Sequence, residues 1–234
     1  MHLKNQLVRF CLIAVLALGL IGTMPAFAAY ELNISGAGSC MDPGACAAGF
    51  TLVGGPGTGV ISFSGSSGSV VSVTAGLAPP TVSLPVLMDV SSVNVATTGA
   101  AVLTVTWSAT GYTLPIPPNF FVMNAGGTMT APAGSSVLYE AFVDSSNTLS
   151  ATTTLIGSLS FGTNPFSGSF SSPVLAGGNP YSLTQRLTFT FTGSGTASGD
   201  FELTAVPEPA SVILFGGILL LTVGAIRRRA AHRA

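Results

Sequence analysis

The sequence predicts an all-β domain, an antiparallel β-sandwich with the jelly roll as one candidate arrangement, and three observations support this. Charged residues make up only 6% of the 234 residues, while Gly contributes 29 and Pro 15. Long helices need runs without Gly or Pro, so this composition argues against helical bundles and coiled coils. Apolar and polar residues alternate with a period of two along much of the chain, which is typical of half-buried strands. Between the two ends, no segment of ten or more residues has a helical period.

The clearest predicted strand is residues 181–192. One parity of this strand is apolar, apart from the polar residue Gln185. Ser, Thr and Arg186 occupy the other parity. Alternation or β-rich composition predicts further strands, separated by Gly-, Ser- or Pro-rich turns, at 30–35, 60–64, 69–75, 82–90, 103–108, 137–144, 154–161 and 201–205. Nine or more strands without intervening helices favour a sandwich. Trp107 shares the parity of Leu103 and Val105 and is therefore predicted to lie in the core.

The first 28 residues have the three parts of a secretory signal peptide. Lys4 and Arg9 form a basic segment, residues 10–22 are apolar, and Ala26 and Ala28 form a small-x-small cleavage site. We therefore expect signal peptidase to cut after Ala28 and leave an exported domain over residues 29–205. A permanent N-terminal anchor is the alternative, but the apolar run is short for one.

The C-terminal segment, residues 206–234, combines a proline-rich motif, an apolar stretch and a basic cluster. The motif is Val206, Pro207, Glu208 and Pro209, the apolar stretch is residues 210–226, and the basic cluster is Arg227, Arg228 and Arg229. Seventeen apolar residues reach about 25 Å as a helix, which is the short end of what spans a bilayer. The arginines would keep the C-terminus on the cytoplasmic side. The sequence thus predicts a single C-terminal transmembrane helix, with a buried core helix as the alternative.

This C-terminal arrangement resembles the PEP-CTERM sorting signal of exosortase substrates in Gram-negative bacteria. The resemblance covers about the last thirty residues. It implies recognition by exosortase, transient residence in the inner membrane, removal of the tail, and delivery to the cell envelope or exterior. It further implies a role in a polysaccharide-rich matrix such as biofilm or floc, with exopolysaccharide as a partner.

The composition of the exported domain restricts its chemistry. It has seven carboxylates, a single cation (Arg186), no Lys and no His. A Ser-His-Asp triad and a Cys-His pair are therefore impossible, and nucleic-acid binding lacks its basic face. We predict no catalytic residue, no metal and no cofactor. Cys40 and Cys46 flank a Pro-Gly turn, and two cysteines in an exported domain predict a disulfide.

Carbohydrate binding and carbohydrate hydrolysis are the alternatives to a purely structural role. For binding by a lectin-like module, Tyr112 and the proline-rich segment 114–121, interpreted as a loop, are the candidate glycan contacts, and a concave face of the sandwich is the other candidate site. For hydrolysis, Asp200 and Glu202 lie two residues apart on one predicted strand and would point the same way. Both are expected on the solvent face. Asn33 lies in an N-x-S sequon, which makes it a candidate glycosylation site.

Overall fold

A computed structural model describes residues 28–54, 58–66, 69–76, 86–112, 119–162, 164–173 and 180–207. The predicted signal peptide up to residue 27 and the tail from Glu208 onward, with its apolar stretch and arginines, lie outside these residues. The described residues include no helix that could cross a membrane.

The described chain forms thirteen strands in two antiparallel sheets, which confirms the all-β prediction. The strands are β1 (Tyr30–Ile34), β2 (Gly38–Asp42), β3 (Phe50–Leu52), β4 (Ile61–Ser66), β5 (Val70–Gly76), β6 (Val86–Thr97), β7 (Ala101–Tyr112), β8 (Asn119–Thr130), β9 (Ser136–Asp144), β10 (Thr154–Phe161), β11 (Phe166–Ser172), β12 (Tyr181–Phe191) and β13 (Gly195–Pro207). The six-stranded sheet has the order β10-β9-β12-β7-β1-β2. The seven-stranded sheet has the order β11-β8-β13-β6-β5-β4-β3.

The two sheets pack face to face over an aromatic and aliphatic core. Phe201 of β13 contacts Tyr139 of β9 and Phe189 of β12, with ring centroids 5.4 and 6.4 Å apart. Trp107 is fully buried and stacks on Tyr30 at 6.3 Å, so its predicted place in the core is confirmed. Burying these rings removes large apolar surfaces from water, which drives the sheets together.

Strand β12 has the predicted alternation, and its exception is explained by a partner. The side chain of Gln185 is fully buried on the apolar face. Its Nε2 donates to the Tyr139 hydroxyl at 2.7 Å and to the Phe201 carbonyl at 3.4 Å, and the Tyr139 hydroxyl donates to the Glu202 carbonyl at 3.1 Å. These bonds connect the two sheets through the core and offset the cost of burying the Nε2 group, whereas the buried Oε1 has no hydrogen-bond partner within the described chain.

Four strands were not anticipated by the alternation: β2, β3, β8 and β11. One of them corrects the interpretation of residues 114–121 as a loop, because residues 119–121 begin β8, which pairs with β13 along its full length. Residues 114–118 lie outside the described chain. Strand β6 likewise continues beyond the predicted end at Val90 to Thr97.

The sandwich has two distinct ends, here called the tail end and the hairpin end. Strand β13 ends at the tail end, where Val206 and Pro207 pair with Phe120 and Asn119 of β8. The sheet therefore continues two residues past the predicted domain boundary at 205. At the hairpin end, short turns join β6 to β7 and β12 to β13. Ala29 also lies at the tail end, because its carbonyl accepts a hydrogen bond from the backbone amide of Thr110.

Candidate binding groove

The outer face of the seven-stranded sheet carries a row of four polar, uncharged side chains. In each pair of neighbouring strands the residues are directly opposite one another: Ser72 of β5 faces Asn94 of β6, Asn94 faces Ser198 of β13, and Ser198 faces Thr128 of β8. Strand alternation places them outward, because Val73, Val95 and Ala197 beside them fill the core. With strands about 4.8 Å apart, the row extends across roughly 14 Å.

A second row lies next to the first, toward the hairpin end. It runs through Val70, Ala96, Thr196 and Thr130, again in register. Val70 leaves 66% of its surface exposed, so this row combines an apolar patch with two hydroxyls. The first row, together with Val70, Ala96 and Thr196 of the second, lines an open groove of about 340 Å³. It adjoins a second depression of about 330 Å³ that includes Thr130 and extends toward Ser194 at the hairpin end.

The groove presents hydrogen-bonding groups without charge. The Oγ1 of Thr128 and the Oγ of Ser198 lie 2.9 Å apart, and the Asn94 Nδ2 donates to the Ser92 hydroxyl at 3.2 Å. Hydroxyls both donate and accept, and the Asn94 amide offers a carbonyl as well. None of the described residues that line the groove or its extension is aromatic or titratable. Such a surface can bind a neutral, hydroxyl-rich ligand but lacks groups for acid–base chemistry.

Three carboxylates lie on the same outer face, nearer the tail end. Glu202 of β13 faces Asp89 of β6 in register, and Asp200 sits at an irregularity in the same pairing, between Gly199 and Phe201. Burial raises the pKa of Asp89 to about 7, and the charge and hydrogen bond of Asp200 and the charge of Glu202 add to the effect. Asp200 and Glu202 thus share a face, as predicted from their spacing.

The raised pKa of Asp89 sets the sign of its effect on stability. Between its ordinary value of 3.8 and about 7, the folded chain holds a proton that the unfolded chain has lost. The free energy of unfolding therefore decreases as the pH rises through this range.

Among the described residues, no group of three or more acidic, His or Cys side chains is placed to hold a metal ion.

Tyr112 was predicted to contact glycan, and this prediction is wrong. The side chain is fully buried and stacks on Tyr181 with ring centroids 5.5 Å apart. Gly111, just before it, has a φ of 82°, a left-handed conformation that interrupts the simple alternation of β7. The loop after β9 also covers this end of the sheet, since Asn147 Oδ1 accepts from the Gly111 amide at 2.8 Å.

The remaining predicted residues are placed as follows. Cys40 and Cys46 form the predicted disulfide. Asn33 is exposed on β1. Val206 and Pro207 lie in β13, and Ala28 is largely buried at the start of the described chain.

The sequence did not predict the groove rows. Their polar residues have the pattern of ordinary outward side chains, and only the register of four strands brings them together.

Comparison with known proteins gives only distant likenesses. No family model matches the chain, and no curated protein matches it. Among solved structures, a carbohydrate-binding module, TmCBM61 in complex with β-1,4-galactotriose, is 13% identical, covers 50% of this chain and 70% of its own, and has a TM-score of 0.32. The CBM22-1 xylan-binding domain of Paenibacillus barcinonensis Xyn10C is 9% identical, covers 62% and 90%, and has a TM-score of 0.33.

An enzyme appears among the same likenesses. The exo-1,3/1,4-β-glucanase of a Pseudoalteromonas species is 9% identical over 79% of this chain, with a TM-score of 0.32, and this chain spans only 19% of its length. Likeness at this level does not carry a function from one protein to another. A function for this chain therefore rests on the chemistry of the groove.

Proposed function

We propose that this protein is an exported, non-catalytic polysaccharide-binding protein whose site is the groove on the seven-stranded sheet. The observation that carries the proposal is the row of Ser72, Asn94, Ser198 and Thr128, held in register across four strands. Sugar hydroxyls need partners that both donate and accept, and these four side chains supply both functions. The groove is open, which suits a segment of a polymer better than an enclosed small molecule.

Two further features support binding to a neutral polymer. The exposed Val70 at one end of the groove offers an apolar contact for the faces of sugar rings. The carboxylates Asp200 and Glu202 near its other side disfavour polyanions such as uronic-acid polymers, because like charges repel across a partly desolvated surface.

The binding proposal predicts a loss of affinity when the row is truncated. We expect the full chain, purified in a mild detergent, to bind at least one neutral polysaccharide from a panel of xylan, galactan and mixed-linkage β-glucan, and not alginate. The double variant Asn94→Ala and Ser198→Ala removes two side-chain hydrogen-bonding groups and should weaken binding about tenfold, since each net bond contributes about 0.5–1.5 kcal/mol. Affinity electrophoresis and isothermal titration calorimetry measure the change.

The matched control for this experiment is on the opposite sheet. Thr104 and Thr188 are partly exposed and face each other in register on the outer face of the six-stranded sheet. The double variant Thr104→Ala and Thr188→Ala should bind like the wild-type protein. Equal loss in both double variants, or no loss in the groove variant, would show that the groove is not the site.

Sorting by the C-terminal tail is the second part of the proposal. Strand β13 stays paired up to Pro207, so the sorting motif starts at the last residues of the folded sheet. We propose that an exosortase removes the tail beyond this strand and that the protein then joins the polysaccharide matrix.

The sorting proposal predicts a shorter C-terminus on the exported protein. Intact mass spectrometry of protein recovered from the cell envelope and medium should show loss of the apolar stretch and the arginines in a normal strain. A strain without exosortase should retain them in the membrane fraction. A full-length C-terminus on exported protein from the normal strain would contradict tail removal.

A glycoside hydrolase is the second candidate function, and one observation favours it. Asp89, with a pKa of about 7, lies beside Asp200 and Glu202, and an acid with a raised pKa next to a second carboxyl group is the pattern that glycoside hydrolysis uses. Incubation of the panel above with the protein, followed by reducing-end analysis, separates the two functions. Turnover that Asp89→Asn abolishes would replace the binding proposal.

A further inference from the structure

The sandwich has four strand edges, and they differ in how they are protected from pairing with another chain. The edges belong to β2 and β10 in the six-stranded sheet and to β3 and β11 in the seven-stranded sheet. An unprotected edge offers unpaired N–H and C=O groups, and natural proteins usually cover, shorten, bulge or charge it.

The β2 edge is covered by the loop that follows it. Met41 donates its backbone N–H to the Ala45 carbonyl at 3.2 Å, and Ala47 donates to the Ser39 carbonyl at 3.0 Å. Cys40 and Cys46 face each other in this pairing and are joined by the disulfide. The disulfide thus holds a short strip of backbone against the outer side of β2, where another strand would otherwise add.

Two of the other edges are protected by length and by irregularity. Strand β3 has only three residues, too few to pair stably with a new strand. Strand β10 contains a register shift between Leu155 and Gly157, and such bulges distort the ladder that an incoming strand would need.

The β11 edge is neither short nor bulged, although β10 of the other sheet packs against its inward side chains, with the Phe161 and Phe166 ring centroids 4.8 Å apart. The seven residues of β11 pair with β8 in an unbroken register, and the sequence FSGSFSS contains no charge and no proline. Within the described chain, β8 is the only strand hydrogen-bonded to it. The ring of Phe170 packs over Gly157 of β10 and leaves 39% of the residue's surface exposed.

We propose that a second copy of this chain pairs antiparallel along β11 and extends the seven-stranded sheet across a two-fold axis. The distribution of carboxylates determines which edge a second copy can approach. The domain is strongly acidic, so two copies repel wherever their carboxylates approach, but β11 and β8 carry none.

The nearest acids on this sheet, Asp200 and Glu202, lie on β13, the strand beyond β8. Their counterparts in the second copy are five strand spacings away, roughly 24 Å. This exceeds the screening length of about 8 Å at physiological ionic strength.

The symmetry of this pairing determines which way the two grooves face. Two identical strands can pair antiparallel in a continuous sheet only about an axis perpendicular to that sheet, so both outer faces lie on the same side. If the groove binds polysaccharide as proposed above, the pair presents two grooves to one polymer surface, and avidity follows. The pairing itself does not depend on the groove.

The experiment compares the mass of the full chain and two lysine variants in a mild detergent, by light scattering and sedimentation over a range of protein concentrations. Ser169→Lys places a charge at the centre of β11. Thr51→Lys places the same charge on an exposed position of β3, at the opposite edge of the same sheet. We expect a wild-type dimer, a dimer dissociation constant raised about tenfold or more in Ser169→Lys, and a dissociation constant unchanged in Thr51→Lys.

Circular dichroism checks that each variant folds, and Ser167→Lys, on the same strand, replaces Ser169→Lys should that variant not fold. A wild-type chain that stays monomeric at its highest soluble concentration overturns the proposal. So does equal weakening by the β3 and β11 lysines. Polysaccharide binding by a monomeric chain would reject the pairing while leaving the proposed function intact.

Discussion

Gly127→Ala is expected to destabilise the domain by about 3 kcal/mol or more, whereas Gly126→Ala should change the free energy of unfolding by no more than about 0.5 kcal/mol. A Cβ at position 127 would overlap the Ser198 carbonyl oxygen, approach the Gly199 Cα to 2.8 Å and meet the Phe166 ring at 2.6 Å. Two of these atoms belong to the backbone of β13 and cannot rotate away. The new methyl group must therefore push β8 and β13 apart in the interior of the sheet.

The neighbouring glycine is the control for this prediction. The nearest atom to a Cβ at position 126 is the Phe166 carbonyl oxygen at 4.0 Å, which is ordinary contact. Chemical denaturation followed by the fluorescence of Trp107, the sole Trp of the chain, measures both variants. Equal stability of the two would mean that β8 and β13 do not approach as closely as described. Gly127→Ala should also weaken polysaccharide binding at the groove, because Thr128 and Ser198 lie beside the atoms that the new methyl group would meet.

Local pattern was enough to predict the strands whose inner face is mostly apolar. Strand β12 and the burial of Trp107 follow from parity alone, since each side chain on the inner face has an apolar neighbour two residues away. Strand β11 was missed because Ser167, Gly168 and Ser169 offer no contrast between faces. Strand β8 was missed because Ala125, Gly126 and Gly127 interrupt its alternation.

Long-range contacts account for what parity could not predict. Gln185 breaks the apolar pattern, and only its contacts explain why: its Nε2 donates to the Tyr139 hydroxyl and the Phe201 carbonyl, which are 46 and 16 residues away. Tyr112 is predicted from the sequence to be exposed, but in the folded chain it is buried and stacks on Tyr181. The groove row needs the register of β5, β6, β13 and β8, which no periodicity determines. Those registers depend on bulges, such as the one near Asp200, that leave no signature in a single sequence.

Phe201→Ala is expected to cost about 3–5 kcal/mol, the range for removing a large aromatic ring from a well-packed core. The ring is fully buried and has three aromatic neighbours: Tyr139, Phe189 and Phe166, with centroids at 5.4, 6.4 and 6.3 Å. The first two lie on the six-stranded sheet and the third on the seven-stranded sheet, so the ring fills the space between the layers. Truncation leaves a cavity that neither sheet can close, because each is held by its own ladder of hydrogen bonds.

The control for Phe201→Ala is Val102→Ala, at a position that is 66% exposed and should change stability by no more than about 0.5 kcal/mol. Urea denaturation of both variants, monitored by circular dichroism, gives the two free energies. Similar midpoints would mean that the sheets do not pack through Phe201. At temperatures where it remains folded, Phe201→Ala should keep the affinity of the groove, because the row from Ser72 to Thr128 lies on the opposite face of the sheet. Stability and binding would then separate on β13, whose inward side chains hold the sandwich together and whose outward side chains form the proposed site.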